Sequence, residues 1–132
     1  MDEQRLRAAL AEFPLSQIES YLEIGSTNDR AQALLEQGAP DGALVIAEAQ
    51  TRGRGRLGRR WVTTPGAALA FSLALRPSPG EQEQLAFFAP LAGLAVCRAL
   101  VTDFGLAARV KWPNDVLLDN RKACGVLVEA AW

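Results

Sequence analysis

Between two short apolar segments, ALVIAEA (43–49) and ALAFSLAL (68–75), lies Gln50–Trp61, QTRGRGRLGRRW, and this run most limits what the chain can become. It packs five arginines (Arg52, Arg54, Arg56, Arg59, Arg60) and three glycines (Gly53, Gly55, Gly58) into twelve positions. Such a segment cannot enter a core, so it has to be a surface connection between the strands on either side. Alternating glycines let the backbone approach a ligand closely. Guanidinium forks match phosphate and carboxylate oxygens, and free backbone N–H groups add an anion-binding nest. These residues leave two readings open: an anionic ligand such as a nucleotide phosphate, or a solvated basic loop or RNA-binding arginine patch. No Gly-Lys-Ser/Thr follows, so the run is not a Walker loop.

The flanking pattern predicts a mixed α+β (α/β) chain. Residues 3–13 have helical spacing, ending before Pro14. Residues 18–24 alternate as a strand. Ser26 and Thr27 offer N-caps for a helix to about Glu36, with Gly38 as its stop. Residues 43–49 read as a strand. In 68–75 large and small residues alternate, as in a strand packed on both faces. Residues 76–80 (RPSPG) are a turn, a long apolar helix runs from about Glu81 to Asp103, and Gly105 closes it. A strand at 107–111 leads through Trp112–Asp115 into a hairpin with arms 116–118 and 123–130, joined around Asp119-Asn120. Together these imply a mixed, mainly antiparallel sheet flanked by helices.

At 132 residues the chain fits one domain. With 49% hydrophobic and 22% charged residues it is no disordered polymer, and a net charge of -1 does not suggest a surface for duplex nucleic acid. No uninterrupted apolar run is long enough to span a bilayer. The charged N-terminus does not look like a secretory signal, so a cytoplasmic location is expected. There is no histidine, which removes Ser-His-Asp and Cys-His catalysis and most catalytic zinc sites. Cys97 and Cys124 sit in apolar stretches without metal-ligand spacing and read as free buried thiols.

Other segments hold chemistry of their own. Lys111–Asp115 (KWPND) sets a cation, an aromatic plane, a proline, an amide and a carboxylate at a strand end. It suits nucleotide binding, with Asp115 on Mg²⁺, and it equally suits a plain turn. Twelve of the 14 basic residues are arginine, so Lys111 and Lys122 are kept against a bias toward arginine. Ser26-Thr27-Asn28 can cap a helix or hold the polar groups of a small molecule.

Taken in order, Ser-Thr-Asn (26–28), GRGRLGRRW (53–61), KWPND (111–115) and RKACGVLVE (121–129) resemble the biotin–protein ligase family over about Ile18 to Glu129. The resemblance implies a class II synthetase-like catalytic domain that joins biotin to ATP as biotinyl-5′-AMP. The biotinyl group would then pass to a lysine of a biotin carboxyl carrier protein. Ser26, Thr27, Asn28 and Gln50 would line the biotin pocket, and Arg54, Gly55 and Arg56 the loop that orders over biotin and adenylate. Lys122 would reach the biotin carboxylate and α-phosphate. Lys111, Asn114 and Asp115 would serve the nucleotide, with Arg56 also on that side and Asp115 on the metal. Arg56 and Lys122 would carry the catalysis.

The family continues into a further strand, an adenylate-covering loop and a small C-terminal barrel. The chain, 1–132, is therefore expected to be the N-terminal portion of the catalytic domain, incomplete at its C-terminus, without the barrel and without a helix-turn-helix. Neither nucleic acid nor membrane is an expected partner, whereas an edge-to-edge homodimer is possible. Competing readings are a lipoate–protein ligase-like enzyme and a non-catalytic binder of biotin or nucleotide.

Overall fold

The computed structural model describes residues 3–131. Met1, Asp2 and Trp132, at the expected limits of the domain, lie outside the described residues. Apart from the terminal residues, the chain forms two compact units that divide after Arg76.

The first unit contains α1 (Glu3–Ala9), β1 (Gln17–Ile24), α2 (Thr27–Glu36), β2 (Ala43–Gln50) and β3 (Ala70–Ala74). Its sheet has the order β1-β2-β3. β1 and β2 run parallel with Ile24 opposite Gln50, and β3 returns antiparallel with Ser72 opposite Val45. Parallel neighbours need a crossover, and α2 supplies it. Ala31 and Leu34 of α2 are buried with Ala43, Val45 and Ala74, flanked by Tyr21, Ile24 and Leu35. Val45 is wholly buried, which contributes about 1.5–3 kcal/mol relative to an exposed side chain. Gly38, at φ +88°, occupies the left-handed region that ends α2.

Three sequence expectations need adjustment in this unit. The first helix stops at Ala9, and residues 10–12 turn. β3 buries one face instead of two: Ala70, Ser72 and Ala74 are inside, while Phe71 and Leu73 are 54% and 47% exposed. Small side chains let the strand lie close under α2, and a period of two then turns the large ones outward. The strand is also shorter than 68–75.

Near the start of the second unit, the Ser78 hydroxyl and backbone N–H both donate to Glu81 ahead of α3 (Pro79–Gln82). A single tight turn at Leu85–Phe87 leads into α4 (Phe88–Thr102). The expected long helix from Glu81 to Asp103 is thus broken, and Pro90, lacking an N–H, sits in the first turn of α4 where no donor is needed. The stretch Leu85–Thr102 is long and apolar enough to cross a membrane by length and composition, although Arg98 interrupts it.

Strands β4 (Ala108–Lys111), β5 (Asp115–Leu118) and β6 (Arg121–Gly125) form an antiparallel sheet in that order. It carries Val116, wholly buried, and Cys97 is buried on α4. Asp119 and Asn120 take φ of +48° and +61°, the mirror-image turn that the Asp-Asn pair favours. The second arm starts earlier than expected and leaves the strand after Gly125, so Lys122 lies within β6. Three of the four ladders in the two sheets are antiparallel, as the pattern implied.

Candidate functional site

Each unit gathers part of the chemistry. In the first, the Ile24–Gln50 register brings the end of β1, the start of α2 and the end of β2 together. That is the carboxyl end of a parallel pair, where open sheets hold ligands. Ser26 caps α2, its Oγ accepting from Asp29 N at 3.4 Å. Thr27 donates twice to Gln50 Oε1, from its backbone N at 2.8 Å and its Oγ1 at 3.0 Å. Ser26 and Thr27 are only 4% and 3% exposed, deeper than a surface cap requires.

Two further residues complete this cluster, and sequence reasoning missed both. Ser72 Oγ of β3 hydrogen-bonds Thr27 Oγ1 at 2.8 Å and also Asn28 Oδ1. Thr63 Oγ1 accepts from Gln50 N at 2.7 Å. Ser72 had a signal, a lone hydroxyl on the small-residue face of an apolar strand. Thr63, in an irregular segment, had none.

The arginine run folds as a small hairpin. Gly55 N donates to Arg59 O at 2.7 Å, Trp61 N donates to Gly53 O at 2.9 Å, and Arg54 bridges Arg60. A tight turn at Arg56–Gly58 forms the tip, where Leu57 is 87% exposed. Gly53 is buried: a Cβ there would come within 2.5 Å of Trp61 O and 3.0 Å of Gln50 Nε2. Glycine is therefore demanded at this position by space. Arg54 Nη1 lies 2.7 Å from Asp29 Oδ1 in the first turn of α2. Ser26, Thr27, Asn28 and Gln50 thus form one cluster. The hairpin bearing Arg54, Gly55 and Arg56 springs directly from it.

Nearby, the Glu19 carboxylate takes both Arg30 Nε and Nη2 at 2.7 Å and the Tyr21 hydroxyl at 2.8 Å. The Arg30 hydrogen bonds hold Glu19 below the ordinary carboxylate range, and burial pushes the Tyr21 phenol up. This group braces β1 against α2.

In the second unit, Lys111 ends β4 directly opposite Asp115 at the start of β5. Asn114 Nδ2 donates to Val126 O at 2.8 Å, fixing the loop between them. Lys122 Nζ lies 2.7 Å from Asp115 Oδ1. That oxygen is buried and has no hydrogen bond of good geometry, so the contact is an ion pair held mainly by charge. Lys111 and Lys122 keep exposed ammonium-bearing chains. Both cysteines are free; Cys97 is buried as expected, whereas Cys124 is only partly covered, and that burial pushes its thiol up. Among the described residues no three acidic, histidine or cysteine side chains converge as a metal-binding group.

Residues 23–131 match the model of the "Biotin/lipoate A/B protein ligase family". The chain is 36% identical over 132 residues to the "Bifunctional ligase/repressor BirA" of Bacillus subtilis, covering 98% of this chain and 40% of that protein. It is 46% identical over 111 residues to the "Biotin--[acetyl-CoA-carboxylase] ligase" of Paracoccus denitrificans, covering 80% and 44%. Among solved structures, the biotin protein ligase of Aquifex aeolicus in complex with biotin and ATP superposes with a TM-score of 0.74 at 36% identity, covering 89% of this chain and 48% of that one. The ligase of Leishmania major in complex with biotinyl-5-AMP gives 0.74 at 27%, covering 87% and 52%. The chain therefore spans about half the length, or less, of these relatives. With the family model matched over most of its length, the chain belongs to the biotin/lipoate A/B protein ligase family.

Proposed function

We propose that this chain is the substrate-binding portion of a biotin–protein ligase, which activates biotin with ATP as biotinyl-5′-AMP and delivers it to a lysine of a biotin carboxyl carrier protein. The observation that carries this reading is the pair of buried hydroxyl residues Ser26 and Thr27, with Thr27 bonded to half-buried Gln50, at the root of the arginine hairpin. A ligand with a polar ring and an anionic end suits amides and hydroxyls at its base and guanidinium groups above.

In this reading Ser26, Thr27, Asn28 and Gln50 hold biotin, and Arg54, Gly55 and Arg56 of the hairpin close over it. Lys122 meets the carboxylate and the α-phosphate, while Lys111, Asn114 and Asp115 serve the nucleotide. Attack of a carboxylate on a phosphate brings two anions together. Arg56 and Lys122 each offset such charge, so positioning and electrostatics supply the rate without a covalent enzyme intermediate. Ordering of the hairpin would keep water from the labile adenylate.

Mg²⁺ held by nucleotide phosphates asks for one or two carboxylates. Asp115, whose buried Oδ1 is paired with the Lys122 ammonium, offers one such carboxylate. When bound, the ion would neutralise phosphate charge. A cytoplasmic location and pairing along an open sheet edge belong to the same proposal.

The test is calorimetric titration with a non-hydrolysable biotinyl-adenylate mimic, beside a pyrophosphate-release assay with biotin and ATP. One-site binding that biotin displaces and lipoate does not is expected. Binding without pyrophosphate release would make the chain a binder and not a complete enzyme. No binding by a folded chain would overturn the reading.

A further inference from the structure

Helix α4 is apolar on both of its sides. The inner side, where Gly93 and Cys97 are buried, packs on β4 and β5. The outer side carries Phe87, Leu91, Leu94, Arg98 and Val101, at alternating steps of four and three residues. Its four apolar members are 46–59% exposed. A surface helix ordinarily turns a polar face to water, whereas a four-three alternation draws one straight apolar seam along it. Phe87, Leu91 and Leu94 also line a groove with Pro90 and with Val110 and Trp112 beyond the helix. A seam of this spacing beside a groove suits the interdigitating side chains of another helix, while a flat lipid surface would leave the groove unfilled.

Arg98 decides which helix fits, and in which direction. It is the single charged member of the seam. Parallel pairing of two copies would set Arg98 against Arg98, like charges in a seam withdrawn from water. Antiparallel pairing about a two-fold axis near Leu91 removes that conflict. Leu91 then meets Leu91, Phe87 meets Leu94 of the other copy, and Arg98 reaches the other copy's Glu83, an exposed carboxylate ahead of α4. One face thus matches its own apolar and charged members, as an isologous contact requires. We propose that the chain forms a homodimer through this antiparallel α4–α4 contact, by a helix face and not along a sheet edge. Five seam positions and Trp112 per copy make a small interface, so its dissociation constant lies in the micromolar range. The dimer does not depend on the biotin reading.

The test is sedimentation equilibrium of the full chain over a concentration series, with circular dichroism to keep the comparison to folded variants. The wild type should show a monomer–dimer equilibrium. Leu91→Asp should weaken it about a hundredfold, since symmetry applies the change twice. Arg98→Glu should weaken it about tenfold, and Glu83→Arg added to it should restore the dimer. Under mild oxidation Leu91→Cys should cross-link above the wild-type background and Val101→Cys should not, because only position 91 lies near the axis. A dimer unmoved by Leu91→Asp lies along a sheet edge and overturns the inference. Equal cross-linking at both positions marks a parallel pair and overturns it too. So does a monomer at every concentration up to about 1 mM, whether or not it floats with phosphatidylcholine–phosphatidylglycerol vesicles.

Discussion

Arg54 of the hairpin and Asp29 of α2 stand 2.7 Å apart, with side chains 39% and 43% exposed, so the ligand loop is tied to the helix that caps the cluster. An ion pair this open contributes about 0–1 kcal/mol. Asp29→Asn should therefore leave the denaturation midpoint almost unchanged. Trypsin, which cuts after arginine, should nick the Arg52–Arg60 stretch several-fold faster. Equal cleavage rates in the two proteins would show that the pair does not restrain the hairpin.

Gly53→Ala should behave very differently. Its methyl group would press on the Trp61 carbonyl, a backbone atom, and the Trp61–Gly53 hydrogen bond closes the hairpin at that point. Overpacking of this kind costs about 1–3 kcal/mol. Urea titration should register the loss, and binding of the adenylate mimic should weaken in step. A stable variant with normal binding would contradict the close approach.

Thr63→Val removes the hydroxyl that accepts from Gln50 N while nearly keeping volume. Thr63 is 8% exposed, so the stranded N–H should cost about 1–3 kcal/mol in a denaturant titration. A loss below the error of that titration would mean that the Gln50 N–H finds another partner.

The Glu19 carboxyl is held below its ordinary value, chiefly by the Arg30 hydrogen bonds. At acidic pH the unfolded chain then carries the extra proton, so stability rises with pH there. The contribution, about 1 kcal/mol for a partly buried pair, is complete above the ordinary glutamate value. It disappears as pH falls through the depressed one. Thermal melts of wild type and Glu19→Gln should converge toward the acidic end and separate toward neutrality. Parallel curves would remove Glu19 as the source.

Lys122→Ala tests the proposed chemistry. Removing one preorganised charge from a developing anion costs about 10²–10³ in rate, so pyrophosphate release should drop by that order. Val116, wholly buried on the neighbouring strand, should keep the hairpin folded, which circular dichroism can confirm. Release at the wild-type rate would take Lys122 out of the reaction.

What could be read from the chain alone follows physical locality. The Ser26 cap, the Gly38 stop and the Asp119-Asn120 turn depend on residues within a few positions, and all three appear where the pattern puts them. β3 was misjudged because its alternation of large and small side chains fixes a period but not which face is covered. The break ahead of α4 escaped because apolar spacing reads through a tight turn. Ser72 and Thr63 serve the site only through partners far away in sequence: Ser72 lies 45 residues from Thr27, and Thr63 lies 13 from Gln50. Family resemblance, by contrast, rests on side-chain identity in order, which survives any error in element boundaries.

Gly25, beside the cap, has no side chain, and the Arg52 guanidinium lies 2.8 Å from where its Cβ would be. The tip of a long, flexible chain can swing away, so the two positions are coupled without being locked. Related chains should accept a larger residue at 25 mainly where 52 is short or faces outward. Over descent, the order of replacement matters. A change at 52 opens the way for one at 25, whereas the reverse order first displaces the Arg52 guanidinium from its place beside the start of α2.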